Sequence, residues 1–332
     1  MSARSITMVT YHYVRDLPRT QYPRIKALLT SDFEQQLAYL TRFYRFVTVQ
    51  DCLGAIYGGA ELPANSALLT FDDGYMDHYQ TVLPMLVERG IQGAFFPPAE
   101  AVMTEKVLSV NKIHLILAAT LDHDALLEEL LPLLDALRPE FGYEDNEALF
   151  QRLAIADRFD TAKIVFIKRV LQKGLPTVAR DRIVDILFAR HVSTDEAAVS
   201  RELYVSRDQL RTMAQQGMYI GNHGFNHVWL GEMPRAAQVE EIDRSLEFHA
   251  ELGLGGTKDW VMCYPYGSYD DSLLSVIRER GCKLGLSSRM GVARLDRENA
   301  FTLERLDTND LPKAATAAPS RWTEQVVGSE HG

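Results

Sequence analysis

The chain has 332 residues, 46% of them hydrophobic and 24% charged, which excludes collagen-like, disordered and disulfide-scaffold classes. With 45 acidic residues against 35 basic ones, a net charge of −10 and no Lys/Arg block, nucleic acid and anionic membranes are not expected partners, because they demand a concentrated positive footprint. Cys52, Cys263 and Cys282 are far apart and form no CxxC pair, so they read as buried thiols of a reducing compartment. No apolar run approaches the roughly 18 residues of a spanning helix. The N-terminus enters a strand-like segment at Ile6–Tyr13 without the stub, apolar run and cleavage site of a signal peptide, so a cytoplasmic protein is expected.

In chain order, short apolar runs alternate with helical patterns that stop at glycines. After the strand at Ile6–Tyr13, Ser31 and Glu34 form a capping-box pattern that opens a helix carrying Phe33, Leu37 and Leu40. Strands are predicted at Phe46–Val49 and Ala67–Phe71, the second ending at Asp72-Asp73-Gly74; a helix from Asp77 to Arg89 leads to a strand at Gly93–Phe96. Between Val102 and Ser200 the rhythm changes to helical spacing alone, as in Leu126, Leu127, Leu130, Leu131 and Leu134. That stretch is read as a helical insertion, and insertions at such places often serve as lids or substrate walls. Ser206 and Gln209 then cap a helix, and strands follow at Met218–Ile220, Trp260–Tyr264, Lys283–Leu286 and Phe301–Leu306, with helices at Pro234–Leu252 and up to Gly281. Strands alternating with helices predict a parallel α/β sheet, open or closed into a barrel. The expected domains are a core of residues 1–101 and 201–311, an insertion of 102–200, and a poorly ordered Ala/Pro/Ser/Thr tail of 312–332.

Three strand ends carry residues suited to chemistry. In Thr70-Phe71-Asp72-Asp73-Gly74, adjacent carboxylates cannot both be buried cheaply as ions. Solvent, a cation, or a division of labour between metal binding and proton transfer resolves that conflict, and an isolated Asp-Asp-Gly is ordinarily a solvated turn. In Asn222-His223-Gly224-Phe225-Asn226-His227, two histidines at i and i+4 can converge on one ion. Paired histidines alone are weak evidence, but with an aspartate from another strand end they make a three-ligand set that leaves one coordination position open for water. The third feature, Cys263-Tyr264-Pro265-Tyr266-Gly267, taken alone is a Pro-Tyr-Gly turn.

Together and in this order, the three motifs resemble the polysaccharide deacetylase (NodB-homology, carbohydrate esterase 4) family, over roughly residues 5–100 and 205–306. The resemblance implies a distorted (β/α) barrel with the site at the C-terminal strand ends. It also implies metal-dependent hydrolysis of an N-acetyl or O-acetyl group from a sugar. Carried over by motif, Asp73, His223 and His227 are implied ligands of one divalent metal, zinc above others; Asp72 is the implied general base, and the Tyr266 amide an oxyanion donor.

Three positions depart from the family pattern. Cys263 stands where the third motif has arginine, and Arg305, in Leu303-Glu304-Arg305, stands where a last Leu-x-His motif has its acid histidine. Arginine cannot release a proton at neutral pH, so Arg305 is expected instead to pair with Asp72. Gly224 replaces the Ser/Thr of the second motif and removes a loop hydrogen bond. For the missing acid, His12 at the end of the first strand leads and His114 follows, while His78 is expected to be exposed on its helix. The expected substrate is a small N-acetylated sugar or sugar conjugate. A non-sugar amide on the same fold, or a degenerate glycan- or partner-binding domain, are the alternatives.

Overall fold

Seven parallel strands form the frame of the first of two units: β1 (Ser5–Tyr11), β2 (Ser66–Asp72), β3 (Gly93–Phe96), β4 (Tyr219–Ile220), β5 (Val261–Cys263), β6 (Leu284–Met290) and β7 (Leu303–Asp307). The computed structural model describes residues 5–156, 160–253 and 259–327. The strands lie in the order β4-β3-β2-β1-β7-β6-β5, each pair parallel, with short additions at Arg45–Phe46 beside β2 and Ala293–Arg294 beside β1. The two ends of that order meet. Asn222, just past β4, donates its N–H to Val261 at 2.9 Å and accepts from the Cys263 N–H at 2.8 Å, a parallel bridge that closes the sheet into the distorted barrel.

Side-chain alternation sorts the strands into two cores. Ile6 and Met8 of β1, Leu68 of β2, Ala94 and Phe96 of β3, Val261 and Cys263 of β5 and Leu303 of β7 pack together inside the ring. Their neighbours Val9, Tyr11, Leu69, Phe71, Phe95 and Leu306 face outward onto Phe33, Leu37 and Leu40 of helix α1 (Thr30–Phe43). The whole of β2 is buried, as expected of a central parallel strand covered on both faces. The same parity carries upward: Thr70 and Asp72 follow Leu68, Arg305 follows Leu303, and His12 follows Met8, so all share the inward face.

Several local expectations change. Thr30 opens α1 after Leu29, with no side-chain cap, so Ser31 and Glu34 lie inside the helix and form no capping box. The strand expected at Phe46–Val49 is limited to Arg45–Phe46, because Thr48 and Asp51 form a reciprocal capping box that starts a helix at Val49. Ser206 and Gln209 do cap helix α2 (Arg207–Gln215) as their spacing predicts. Helices α3 (Arg235–Leu252) and α4 (Asp271–Glu279) follow β4 and β5 in the chain.

The second unit comprises residues 17–26 and 105–200, the first of which sequence rhythm assigns to the barrel. Arg24 explains that membership, donating to the carbonyls of Ala118 and Ala119 at the end of helix Ser109–Ala119. Helices dominate the unit, and its described residues contain no strand. The buried Lys112 pairs with Asp185 and Glu196 at 2.6 and 2.9 Å.

The tail expected to be poorly ordered folds back in its described part. Helix α5 (Arg321–Val327) brings Thr323, fully buried, within 2.8 Å of the Tyr39 hydroxyl and 3.0 Å of the Tyr44 hydroxyl. Two buried phenols need a hydrogen-bond partner, and the tail supplies it; residues 328–332 lie outside the described residues. Thr323→Val keeps the shape and removes that partner. Urea unfolding of this variant should show a loss of about 1–3 kcal/mol, the cost of leaving buried hydroxyls unsatisfied, against no measurable change for Thr316→Ala at the exposed surface.

Candidate active site

The acidic pair lies at the mouth of the barrel, and both members are buried, Asp72 at 2% exposure and Asp73 at 4%. The strain that separates them is local. Asp73 adopts φ 73°, which a non-glycine residue rarely tolerates, and Gly74 follows at φ 65° against Pro97, where a Cβ would approach within 2.7 Å. The reversal sends the two side chains to different partners.

Asp72 receives a two-pronged guanidinium. Arg305 Nη1 lies 2.9 Å from Oδ1 and Nη2 2.8 Å from Oδ2, while Nε donates to the Ser287 carbonyl at 3.0 Å and Nη1 also reaches the Thr70 hydroxyl at 3.1 Å. Four such contacts leave the arginine no freedom and fix the carboxylate plane. Burial pushes the Asp72 carboxyl upward, but the Arg305 charge outweighs it, with His223 and His12 adding to the effect, and the group is held down at about 2. Cys263 sits buried beside this pair. Burial raises its thiol, so it is a neutral neighbour there.

Asp73 turns its Oδ1 toward the two histidines, 3.4 Å from His223 Nε2 and 3.2 Å from His227 Nε2. Its Oδ2 accepts the Tyr75 hydroxyl at 2.7 Å. His223 donates from Nδ1 to the Cys263 carbonyl at 2.7 Å, which leaves its Nε2 as the lone-pair atom facing Asp73. His227, at φ 54°, is held by the edge of the Tyr266 ring at 4.7 Å. Tyr266 is itself left-handed at φ 57° and stacks flat on Trp229 at 4.3 Å.

The loop between the histidines has its own support. Gly224 has φ 72°, a conformation that disfavours the Ser or Thr of the family motif, and its N–H is taken by Asn222 Oδ1 at 2.8 Å. Glu241 of α3, buried, accepts from the backbone N–H groups of Phe225 and Asn226 at 3.2 and 3.0 Å and from the Asn226 side chain. Glu241, Asn222 and Tyr75 are therefore structural members of the site that sequence reading passes over. Asn222 could have been found as an Asn-x-Gly turn, but Glu241 sits on a helix with no local signal.

Of the acid candidates, His12 sits at the site: Nε2 is 4.0 Å from Asp72 Oδ2, and the side chain is 48% exposed. His114 belongs to the helical unit, on Ser109–Ala119. His78 corrects the expectation of exposure. It is fully buried among Phe71, Tyr75 and Phe95, with Nε2 2.8 Å from the His12 carbonyl, so it supports the loop that carries His12.

The donor set of Asp73, His223 and His227 suits a divalent cation. Their ligand atoms all lie within 4.8 Å of one another, all three residues are buried, and Asp73 Oδ1 has no hydrogen-bond partner among the described residues. One carboxylate oxygen with two imidazoles is a three-ligand set of the kind catalytic zinc uses.

A family model described as polysaccharide deacetylase matches residues 59–129 and 158–285. Over 110 residues, 33% of the chain, the sequence is 26% identical to the putative polysaccharide deacetylase YxkH of Bacillus subtilis, covering 38% of that protein. Over 79 residues, 24% of the chain, it is 35% identical to the poly-beta-1,6-N-acetyl-D-glucosamine N-deacetylase of Escherichia coli, covering 12% of it. The matched segments thus span well under two thirds of either relative. The fold is shared with the deacetylase PplD of Streptococcus pyogenes (TM-score 0.56, 15% identity, 93% of this chain and 95% of that one). It is shared equally with IcaB of Ammonifex degensii (TM-score 0.55, 19% identity, 91% of each chain).

The Asp72–Arg305 pair makes a stability prediction. Arg305→Ala strands a buried carboxylate and should cost about 3–5 kcal/mol in chemical denaturation; Arg305→Lys, which keeps the charge and loses the fork, should fall between. Because the folded carboxyl is held below its ordinary 3.8, the stability it contributes is complete above that value and drains away as pH falls toward about 2. An acid titration of wild type should show that loss, and Arg305→Ala should lack it.

Proposed function

Because this chain belongs to the polysaccharide deacetylase family, we propose that it is a metal-dependent deacetylase that hydrolyses an N-acetyl, or O-acetyl, group of a sugar or sugar precursor of surface glycans. The observation that carries this reading is the convergence of Asp73 Oδ1 with the His223 and His227 Nε2 atoms beside a buried, arginine-clamped carboxylate. The E. coli relative named for poly-beta-1,6-N-acetyl-D-glucosamine supports an N-acetylated hexosamine as the substrate class. The three free, buried cysteines support a reducing, cytoplasmic setting, and with it a small or carrier-linked sugar rather than an exported polymer. Among the described residues, no helix is long and apolar enough to cross a membrane.

In this reading Asp73, His223 and His227 hold the metal, zinc by ligand chemistry. A divalent metal bound there supplies a water of lowered pKa and a Lewis acid for the acetyl carbonyl. Asp72 receives the proton of the attacking water. Arg305 keeps it ionised and turned to face the reacting atoms, the orienting duty that Cys263 cannot perform. The Tyr266 N–H, fixed by its left-handed backbone, donates to the oxygen that gains charge in the transition state. Amide cleavage also needs a proton on the departing nitrogen. His12 is the acid at hand, half exposed at the rim and 4.0 Å from Asp72.

The test is acetate release by protein loaded with zinc or cobalt, assayed on N-acetylglucosamine, its nucleotide-linked form and β-1,6-linked oligomers. Acetate from at least one of these, with about one ion bound per chain, is the expected result. Loss of both ion and activity in the double variant Asp73→Ala, His223→Ala completes it. An absence of bound metal under loading conditions overturns the reading and leaves a glycan- or partner-binding domain. His12→Asn should keep its metal and lose roughly 10²–10⁴-fold in kcat, the range for removal of a positioned acid; an unchanged kcat removes His12 from the mechanism.

A further inference from the structure

Tyr75 is fully buried one residue beyond Gly74, and its hydroxyl donates to Asp73 Oδ2 at 2.7 Å. Nothing in the proposed chemistry uses that hydroxyl, and yet the surroundings are built to aim it. The Tyr13 ring stacks on Tyr75 at 3.9 Å and 18°, and the Tyr204 ring lies near parallel to it at 6.3 Å and 12°. His78 meets it edge-on at 5.6 Å. The backbone is held as well: Tyr75 forms an isolated antiparallel bridge with Tyr204, and the Val205 N–H donates to the Gly74 carbonyl at 3.0 Å.

The chemical effect of this arrangement falls on Asp73. A carboxylate offers two oxygens to a cation and can bind through one or both. Here one is tied to a phenol O–H in a short, charge-assisted hydrogen bond, and the other alone faces His223 and His227. We propose that Tyr75 is a positioning residue of the metal centre: its hydroxyl restricts Asp73 to a single ligating oxygen, which keeps the coordination number low and a position open for water. The proposal rests on the metal-centre reading above and deepens it. Tyr13 and Tyr204 serve it by denying the ring any other rotamer.

Cobalt(II) is the probe, because its visible absorption is intense in four-coordinate sites and weak in sites of higher coordination. Tyr75→Phe keeps the ring stack and deletes the hydroxyl. Titrated with cobalt against a competing chelator, it should bind about 10–100-fold more weakly than wild type, the usual cost of losing an outer partner of a ligand. Its visible band should also drop in intensity as Asp73 closes on the ion with both oxygens. A purely structural tyrosine would lower the thermal midpoint of the metal-free protein and leave the spectrum of the loaded protein intact. Tyr13→Leu, which loosens the stack and retains the hydroxyl, gives a second route should the Phe variant not fold; a smaller change in the same direction is expected. Superimposable affinity and spectrum for wild type and a folded variant overturn the role of Tyr75 while the centre stands. A wild type that takes up no cobalt overturns both.

Discussion

Two buried carboxylates on consecutive residues are the constraint around which this barrel mouth is arranged. Asp72 and Asp73 are both buried, so bulk solvent screens little of their charge, and the two anions repel each other across a single peptide unit. A left-handed turn at Asp73 resolves the conflict by separating the partners. Asp72, on the inward face, receives an arginine from β7; Asp73 is turned to two histidines and a tyrosine. The left-handed backbone at Asp73, His227 and Tyr266 is costly at about 1–3 kcal/mol for each such residue. The surrounding hydrogen bonds, ring contacts and bulk hold these conformations in place.

Seen from this constraint, the replacement of the family's arginine by Cys263 is compatible with a working site. A guanidinium is needed at one point in space, and any inward-facing position of a strand that reaches the rim can deliver it. Residue 305 of β7 satisfies that condition: alternation places it on the same face as Leu303, and Ser287 of the neighbouring β6 offers a carbonyl to steady its Nε. A histidine at 305 would have served a different purpose. In the proposed mechanism the acid is instead His12, just past the end of β1, whose Nε2 lies 4.0 Å from Asp72.

The sequence makes the barrel legible because parallel strands buried on both faces leave short apolar runs, and because the helices between them end in glycines. Ser206 and Gln209 cap a helix in the structure as in the sequence, but Ser31 and Glu34 do not, since the N-cap falls two residues earlier, at Leu29. The site is legible where its chemistry is concentrated in motifs, as at Asp72-Asp73 and His223…His227. It is illegible where a side chain acts from a distant helix: Glu241 holds the histidine loop from α3, and no local pattern marks it. His78 misleads in the opposite direction, because helical periodicity says nothing of a ring cage formed by Phe71, Tyr75 and Phe95. Residues 17–26 join the helical unit through Arg24, a long-range contact that local rhythm cannot announce.

Closure of the barrel has a consequence for how the site comes into being. Asn222 seals the sheet by bonding to Val261 and Cys263, and the next residue, His223, is oriented by the Cys263 carbonyl. The seam and the first histidine are therefore set by the same short stretch of β5. During synthesis, the acidic pair and both histidines leave the ribosome well before that stretch does. They remain an unassembled collection until residue 263 emerges, and the ring closes later still, when β7 arrives between β1 and β6 and brings the arginine that steadies Asp72. Long-range contacts of this kind form slowly, so the orientation of His223 and the clamping of Asp72 should be separate events in the life of the nascent chain.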